Sequence, residues 1–525
     1  MREAVPNLLV RAVRWLPDLF LGVLLLLLAW GAVESLSFPF GRDQGILAWS
    51  ADVISSGGLP YRDAWDVKGP AAPGAYALAF LFFGRHEVAI RILDTVVLGF
   101  CGLIFLSLSK RWNGGRRAGA FALCFFYFWT PRNFWDTGQP DTWAAVLLLA
   151  AAWCVTRREW RTANWLVAGL LVGTASLIKP LFLVLAIGLA VSAVVPRRRA
   201  ILVDLFWLAA GLGIPIIAVI LVFAARHVLP SLIEVQVHFN LATHAARHST
   251  SVAWFLHHGL EPFFGLRGLA MAALIVMGIF ALRAVDPMSL GPIAFNGLLS
   301  YALVFWQAKF YPYHFAPVMA LFAPLAGLGA ERLIGLALDR RTAASSTIAT
   351  AMVGVLLIVA STQAVDAMHA GSSWLSYERG HIDRATYIDE LDRPYSFPYR
   401  DLVDAANYVR THTASTDRIY MLGFDALVYF EADRKSVTRF GYSYPLISGP
   451  WQDIGAARHE LMGSLANGAA ALILVEKNDA NNLTGQSGTD ALQLFPELQR
   501  LLEASYEVSY DNPAVTIYGR RSAGD

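Results

Sequence analysis

The sequence predicts an α-helical polytopic membrane protein with a small soluble α/β domain at its C-terminal end. Three observations carry that prediction. Of 525 residues, 56% are hydrophobic and only 16% are charged, which does not describe one soluble domain. The apolar residues gather in runs such as 16–36 and 348–364, each near the roughly 20 residues a spanning helix needs. From about residue 380 those runs stop, and short β-rich stretches alternate with helical ones. A net charge of +2 with no basic tail or patch offers no footprint for nucleic acid. Cys101, Cys124 and Cys154 all lie inside apolar runs, so neither a disulfide nor a metal–thiolate site is expected.

About eleven spans follow in order: 16–37, 88–109, 117–131, 141–156, 163–178, 180–195, 201–224, 267–283, 288–306, 314–335 and 346–366. The first is preceded by Arg2, Arg11 and Arg14; it is long and lacks a small-x-small cleavage site, so it reads as an uncleaved signal-anchor. Arg and Lys set the orientation. Lys110, Arg111, Arg116 and Arg117 crowd one short loop, Arg157, Arg158 and Arg161 the next but one, and Arg197–Arg199 and Arg340–Arg341 two later ones. All fall on the side of the N-terminus, which is therefore cytoplasmic. An odd number of spans then puts residues beyond 367 outside, with loops 38–87, 132–140 and 225–266. The four spans between 117 and 195 are short, about 23 Å at 1.5 Å per residue, and predict a water-filled cavity sunk into the outer face. Pro140 and Pro180 stand where two of these helices begin. The apolar stretch 71–84 is too short to span and reads as an interfacial helix. The expected organisation is thus a membrane domain over 1–366 and an outer α/β domain over 380–525. In the latter, strands are predicted at 418–423, 471–475 and 515–518, and helices at 401–412, 452–467 and 492–504. No G-x-G-x-x-G follows Gly423, so no nucleotide fingerprint is present.

The chemistry concentrates just past the first span. Arg42-Asp43-Gln44 is followed by Arg62-Asp63-Ala-Trp-Asp66-Val-Lys68-Gly-Pro70, and ionisable groups clustered beside a bilayer are functional candidates. Lysine is scarce, with six against 36 arginines. Lys68, Lys179 and Lys309 fall at outer ends or loops, against the positive-inside trend. An anionic lipid phosphate at the outer face would explain them; snorkelling to headgroups is the plainer account. A second acidic group, Asp136 and Asp141, lies in the next outer loop, where carboxylates held close to Asp43 would suit general-base work on an acceptor hydroxyl or amine. Asp141 would equally serve as a helix cap. Six histidines occupy 225–266, and His244 and His248, four apart, would share a helical face able to take a divalent metal; solvated histidines are the alternative. His314, opening a late span, could hydrogen-bond a phosphate.

The order of these pieces resembles the membrane glycosyltransferases that use polyprenyl-phosphate sugars, the GT-C superfamily. Within it the pattern is most similar to the protein-mannosyltransferase group, which includes the lipid A aminoarabinose transferase. The family's Arg-Asp-polar triplet reads Arg42-Asp43-Gln44 here, its Lys-Pro-Pro reads Lys68-Gly69-Pro70, and its aromatic-Pro-x-His segment reads Tyr311-Pro-Tyr-His314-Phe. The resemblance implies an inverting transfer from a polyprenyl-phosphate donor to a lipid, glycan or protein acceptor outside the bacterial inner membrane, in cell-envelope glycan synthesis. Asp43 would be the base, with Asp136 and Asp141 as further catalytic carboxylates. Lys68, Arg42, Arg62, Lys179, Lys309 and His314 would hold the donor phosphate. Some relatives carry a metal-binding Glu just before the Lys; Val67 stands there, so a divalent metal stays open as the only cofactor. A transporter or flippase for an anionic lipid-linked substrate is the competing reading, but it calls for midplane charges and repeat symmetry, which this sequence lacks. A membrane-anchored scaffold would need no acidic cluster.

Overall fold

The computed structural model describes residues 4–130, 132–157, 161–194, 201–245, 251–338, 371–392, 397–447, 451, 453–466, 470–481, 483 and 485–521. The predicted span 346–366, the basic clusters Arg197–Arg199 and Arg340–Arg341, and His248 lie outside them. The chain divides into two compact units, each assembled from three separate segments. The first takes Met1–Phe38, Arg91–Ala218 and Thr250–Arg379; the second takes Pro39–Ile90, Val219–Ser249 and Gly380–Asp525.

Fifteen helices precede residue 340 among the described residues. They are α1 (Ala4–Glu34), α2 (Arg42–Ser55), α3 (Ala71–Phe83), α4 (Glu87–Arg111), α5 (Gly115–Trp129), α6 (Pro140–Thr156), α7 (Arg161–Ile178), α8 (Val184–Val194), α9 (Ile201–Ala225), α10 (Leu229–Ile233), α11 (Asn240–Ala245), α12 (Val252–Leu260), α13 (Gly265–Val285), α14 (Asn296–Gln307) and α15 (Ala316–Leu338). Eight of them coincide with predicted spans to within a few residues, while α1 begins well before the predicted 16–37 and α14 well after the start of 288–306. Six helical stretches are long and apolar enough to cross a membrane: Trp15–Ser37, Glu87–Arg111, Ile201–Ala225, Gly265–Val285, Pro287–Gln307 and Pro312–Leu338. The protein is an integral membrane protein.

In the first unit α15 is the central helix, with 17 residues from Ala316 to Ile334 buried against α5, α6, α13 and α14. Close approach there depends on small residues, the usual device where lipid supplies no hydrophobic drive between helices. A Cβ on Gly278 would strike the Leu325 backbone, one on Gly329 the Leu274 carbonyl, and one on Gly327 the Ala118 carbonyl. Arg117 forks onto Glu331 with two bonds of 2.7 Å and reaches Asp18 at 3.4 Å, while Arg111 holds Asp286 at 3.1 Å. The fully buried Arg91 donates to Thr137 Oγ1 (2.7 Å) and the Phe134 carbonyl (3.4 Å); three residues on, Asp94 accepts from Gly138 N (2.8 Å) and Trp143 Nε1 (2.5 Å). One turn of α4 thereby fixes the 132–139 loop.

The second unit is built on a five-stranded sheet: β1 (Arg418–Leu422), β2 (Lys435–Ser436), β3 (Ala470–Glu476), β4 (Tyr506–Asp511) and β5 (Val515–Arg520), in the order β2-β1-β3-β5-β4. β1 runs parallel to β2 and β3, with Met421 opposite Leu474; β5 is antiparallel to β3 and β4, with Ile517 opposite Leu474. Three of these strands and the helix Tyr399–His412 match expectation. β4 escaped it because an edge strand with exposed acidic and polar positions carries little apolar signal. The single helix expected over 492–504 is two, Gly488–Gln493 and Pro496–Ser505, because Pro496 opens a new helix rather than continuing one. Ser487 and Asp490 close a capping box on the first.

The helix expected over 71–84 is α3, but the rest of 38–87 and the segment 225–266, expected as loops, hold further helices, and this is the main correction to the sequence reading. α2 buries every residue from Gln44 to Ala51, and a Cβ on Gly45 would come within 2.9 Å of Leu427 in the neighbouring helix Leu427–Ala432. Its polar opening hides a helix whose stability comes from that packing. In the second segment α10, a π-turn over Glu234–Phe239, α11 and α12 follow one another, with Ser251 capping α12 through Trp254 N (3.2 Å).

Candidate active site

The carboxyl ends of the parallel strands β1 and β3 create a buried acidic corner. Asp425 follows β1, Glu476 ends β3, and Asp479 lies three residues further. Arg42, in the first turn of α2, fills it: Nε lies 2.5 Å from Asp425 Oδ1 and Nη2 3.0 Å from Oδ2, with the guanidinium over the Phe424 ring at 5.5 Å. Burial alone would lift the Asp425 carboxyl, but Arg42 holds it below the ordinary carboxylate range. Burial and the adjacent Asp425 push Glu476 well above its ordinary value, and burial brings Asp479 up to about 6. Glu476 Oε2 accepts from the N–H groups of Phe424 (2.8 Å) and Asp425 (3.1 Å), which shapes the turn after β1. The sheet edge thus fixes where α2 begins.

Asp43 is the next residue, and its side chain is about one quarter exposed. Lys68 Nζ stands 3.3 Å from its Oδ1. The lysine comes from an irregular stretch that is clamped from several directions. Tyr61 takes a left-handed φ of 71°, held by its own N–H on the Ala64 carbonyl (2.6 Å), and its hydroxyl donates to the Lys68 carbonyl (3.0 Å). Gln236 Nε2 donates to the Val67 and Lys68 carbonyls at 3.1 and 3.0 Å, and Asn240 Nδ2 to Val67 at 3.4 Å. Trp65 packs edge-on to Phe239 at 4.7 Å and against Tyr442 at 5.6 Å. Arg439 links this stretch to its surroundings through the Tyr61 carbonyl (3.3 Å), both oxygens of Glu234 (3.0 and 3.1 Å) and both of Glu460 (2.9 and 3.0 Å). Beneath Lys68, buried Asp66 accepts from its backbone N–H and from the Tyr442 hydroxyl, both at 3.3 Å. Burial raises the Asp66 carboxyl, with the Lys68 charge opposing.

The other candidates stand as follows. Arg62 is half-exposed and forks onto its neighbour Asp63, with a shortest contact of 2.6 Å. In the first unit, Lys179 Nζ lies 2.8 Å from Asp141 Oδ1. The N-cap of α6 is Gln139, with Asp141 in the first turn, so that carboxylate faces the lysine rather than capping the helix. Asp136 is buried and exchanges bonds with Asn133, at 2.8 and 2.9 Å. Lys309 is exposed just beyond the left-handed end of α14. His314, buried in the turn Pro312–Phe315, has Tyr313 edge-on at 4.8 Å and Tyr311 at 5.3 Å. His244 lies on α11, and among the described residues no three His, Cys, Asp or Glu side chains converge to hold a metal. Sequence reasoning missed Asp425, Glu476, Gln236 and Arg439. Only Gln236 and Asn240 left a trace, as two amides four residues apart, about one helical turn.

Residues 67–223 match the model of the dolichyl-phosphate-mannose-protein mannosyltransferase family. Among solved structures, ArnT from Cupriavidus metallidurans bound to undecaprenyl phosphate superimposes with a TM-score of 0.63 at 15% identity, covering 96% of this chain and 98% of that one. The two chains share a fold. Apo ArnT from the same organism gives a TM-score of 0.60 at 16% identity, over 97% and 98% of the two chains. An oligosaccharyltransferase from Archaeoglobus fulgidus matches more distantly, with a TM-score of 0.48 at 13% identity, over 95% and 74%. The curated proteins contain no significant match.

Proposed function

We propose that this protein is an inverting glycosyltransferase that moves a sugar from a polyprenyl phosphate to an acceptor on the outer face of the membrane. The Asp43–Lys68 pair carries the reading. It is a carboxylate and an ammonium at 3.3 Å, both partly open to solvent, with the Lys68 backbone held by Tyr61, Gln236 and Asp66. In the proposed step an acceptor O–H or N–H attacks the anomeric carbon, Asp43 takes its proton, and the carbon–oxygen bond to phosphate breaks with both electrons on the leaving phosphate. Lys68 neutralises that developing charge. Arg42, bound into the acidic corner, is assigned to holding Asp43 in register. Lys179, Lys309 and His314 are proposed as further donor-phosphate contacts, and Asp136 and Asp141 as carboxylates of the same reaction. Val67 offers no ligand where some relatives carry glutamate.

The proposed topology has eleven spans, with the N-terminus cytoplasmic and the C-terminal region outside. The composition of the second unit supports it. Its three segments fold together, so they lie on one side of the bilayer, and the chain crosses an even number of times between them. Six proposed spans separate the first two segments and four separate the last two, counting 346–366.

The test is turnover by purified Asp43→Asn with a panel of polyprenyl-phosphate sugars and membrane extract as acceptor. Loss of a general base lowers the rate by about 10²–10⁴. Turnover within about threefold of wild type would remove Asp43 as the base.

A further inference from the structure

Outside the Asp43–Lys68 site, the second unit contains a cavity of about 790 Å³, within the roughly 300–1,000 Å³ range of small-molecule sites. Both charges line it. Glu87 is largely covered: its Oε1 accepts from the Tyr399 hydroxyl (3.1 Å) and Phe40 N (2.8 Å), and its Oε2 from Arg384 (2.7 Å). Glu431 is close enough to Glu87 to be influenced by its charge, and burial followed by that charge pushes its carboxyl up to about 7. Around them Arg384, Arg400 and Arg410 are exposed at the rim.

The elements that lead into this cavity are apolar on the outside. α3 leaves Leu78, Leu81, Phe82 and Phe83 exposed by 55, 77, 71 and 40%, then delivers the chain through Gly84 to Arg85. Two residues on, Glu87 opens α4, one of the stretches apolar enough to span. The cavity therefore lies where a spanning helix leaves the hydrocarbon, beside a short helix whose bare face suits acyl chains.

We infer that this cavity binds the headgroup of an aminophospholipid, with guanidinium groups of Arg384, Arg400 and Arg410 on the phosphate and the carboxylates of Glu87 and Glu431 on the primary ammonium. A purely anionic headgroup would set its charge beside the Glu87 and Glu431 carboxylates and bring no cation to offset the repulsion, Arg384 being already paired with Glu87. A trimethylated amine has no N–H to donate to them. A free soluble zwitterion would make no use of the α3 face.

The test is native mass spectrometry of the full-length protein in detergent, titrated with phosphatidylethanolamine, phosphatidylglycerol and phosphatidylcholine of identical acyl chains, and with free phosphoethanolamine. Phosphatidylethanolamine is expected to bind about tenfold more tightly than the other three probes, the scale of one charge-assisted contact. Glu431→Gln, which preserves size and shape, should reduce it to the level of phosphatidylglycerol. Arg410→Gln should weaken both lipids about tenfold. Lys435→Gln, on the exposed strand β2, should change neither. Equal affinity for the three lipids, undiminished phosphatidylethanolamine binding by Glu431→Gln, or equally tight binding of phosphoethanolamine would each overturn the assignment.

Discussion

Arg42 and Asp43 are adjacent in sequence and differ in their surroundings. Arg42 is nearly enclosed and locked to Asp425, whereas Asp43 keeps part of its carboxylate in solvent beside Lys68. The triplet stood out in the sequence as a cluster of ionisable groups, but the direction each side chain takes did not, because the partner of Arg42 lies 383 residues away. Removing a buried cation from carboxylates leaves uncompensated charge, typically costing about 3–5 kcal/mol. Arg42→Gln should therefore destabilise the protein by about that much at pH 7, read by chemical denaturation in detergent. The sign of the pH dependence follows from Asp425. Arg42 depresses its folded-state pKa, so the stabilisation is present above the unfolded value of 3.8 and lost as pH falls through the folded value. Without Arg42 the carboxyls of the corner bind protons more readily, and the variant's deficit should shrink from pH 7 to pH 5. A deficit that does not change with pH would mean that the charges in the corner are not what Arg42 stabilises.

At the scale of elements, the apolar helices were readable because hydropathy over twenty residues is a long-range average that tolerates local error. α2 was not. Its 14 residues open with Arg-Asp-Gln, and part of its burial comes from a partner helix distant in sequence. Gly45 is the point of closest approach, with Leu427 Cβ at 2.9 Å and its Cα and N at 3.0 Å from where a Cβ would stand. Backbone atoms cannot swing aside as a side-chain tip can. Gly45→Ala should cost about 1–3 kcal/mol through overpacking and displace the first turn that carries Asp43. The expected outcome is a lowered thermal midpoint together with a fall in kcat, while a Gly74→Ala control in α3, where a Cβ would meet nothing within 4 Å, leaves both near wild type. Unchanged turnover in Gly45→Ala would separate the packing of α2 from the position of Asp43.

For the whole molecule, the sequence reading divided the chain by position, whereas the structure groups it by contact: residues 39–90 and 219–249 belong with the C-terminal sheet. No local pattern announces such a grouping, since it rests on pairings such as Arg439 with Glu234 and Gln236 with Lys68 across more than 150 residues. Once the grouping is known, it constrains the membrane topology more tightly than hydropathy does. Three segments in one compact unit require even numbers of crossings between them, so an error in any one of the short helices α5 to α8 would have to be matched by a second. Among the described stretches, three of those long enough to span lie between the second and third segments, and the proposed topology adds a fourth at 346–366. Reporter fusions after residues 112 and 197 should therefore read cytoplasmic, and those after residue 249 and at the C-terminus external. The fusion after 249 is the most informative, because it reports on a segment of the second unit independently of the C-terminal end. A cytoplasmic signal there with an external C-terminus would place parts of one folded unit on opposite sides of the bilayer, and the eleven-span topology would have to be abandoned.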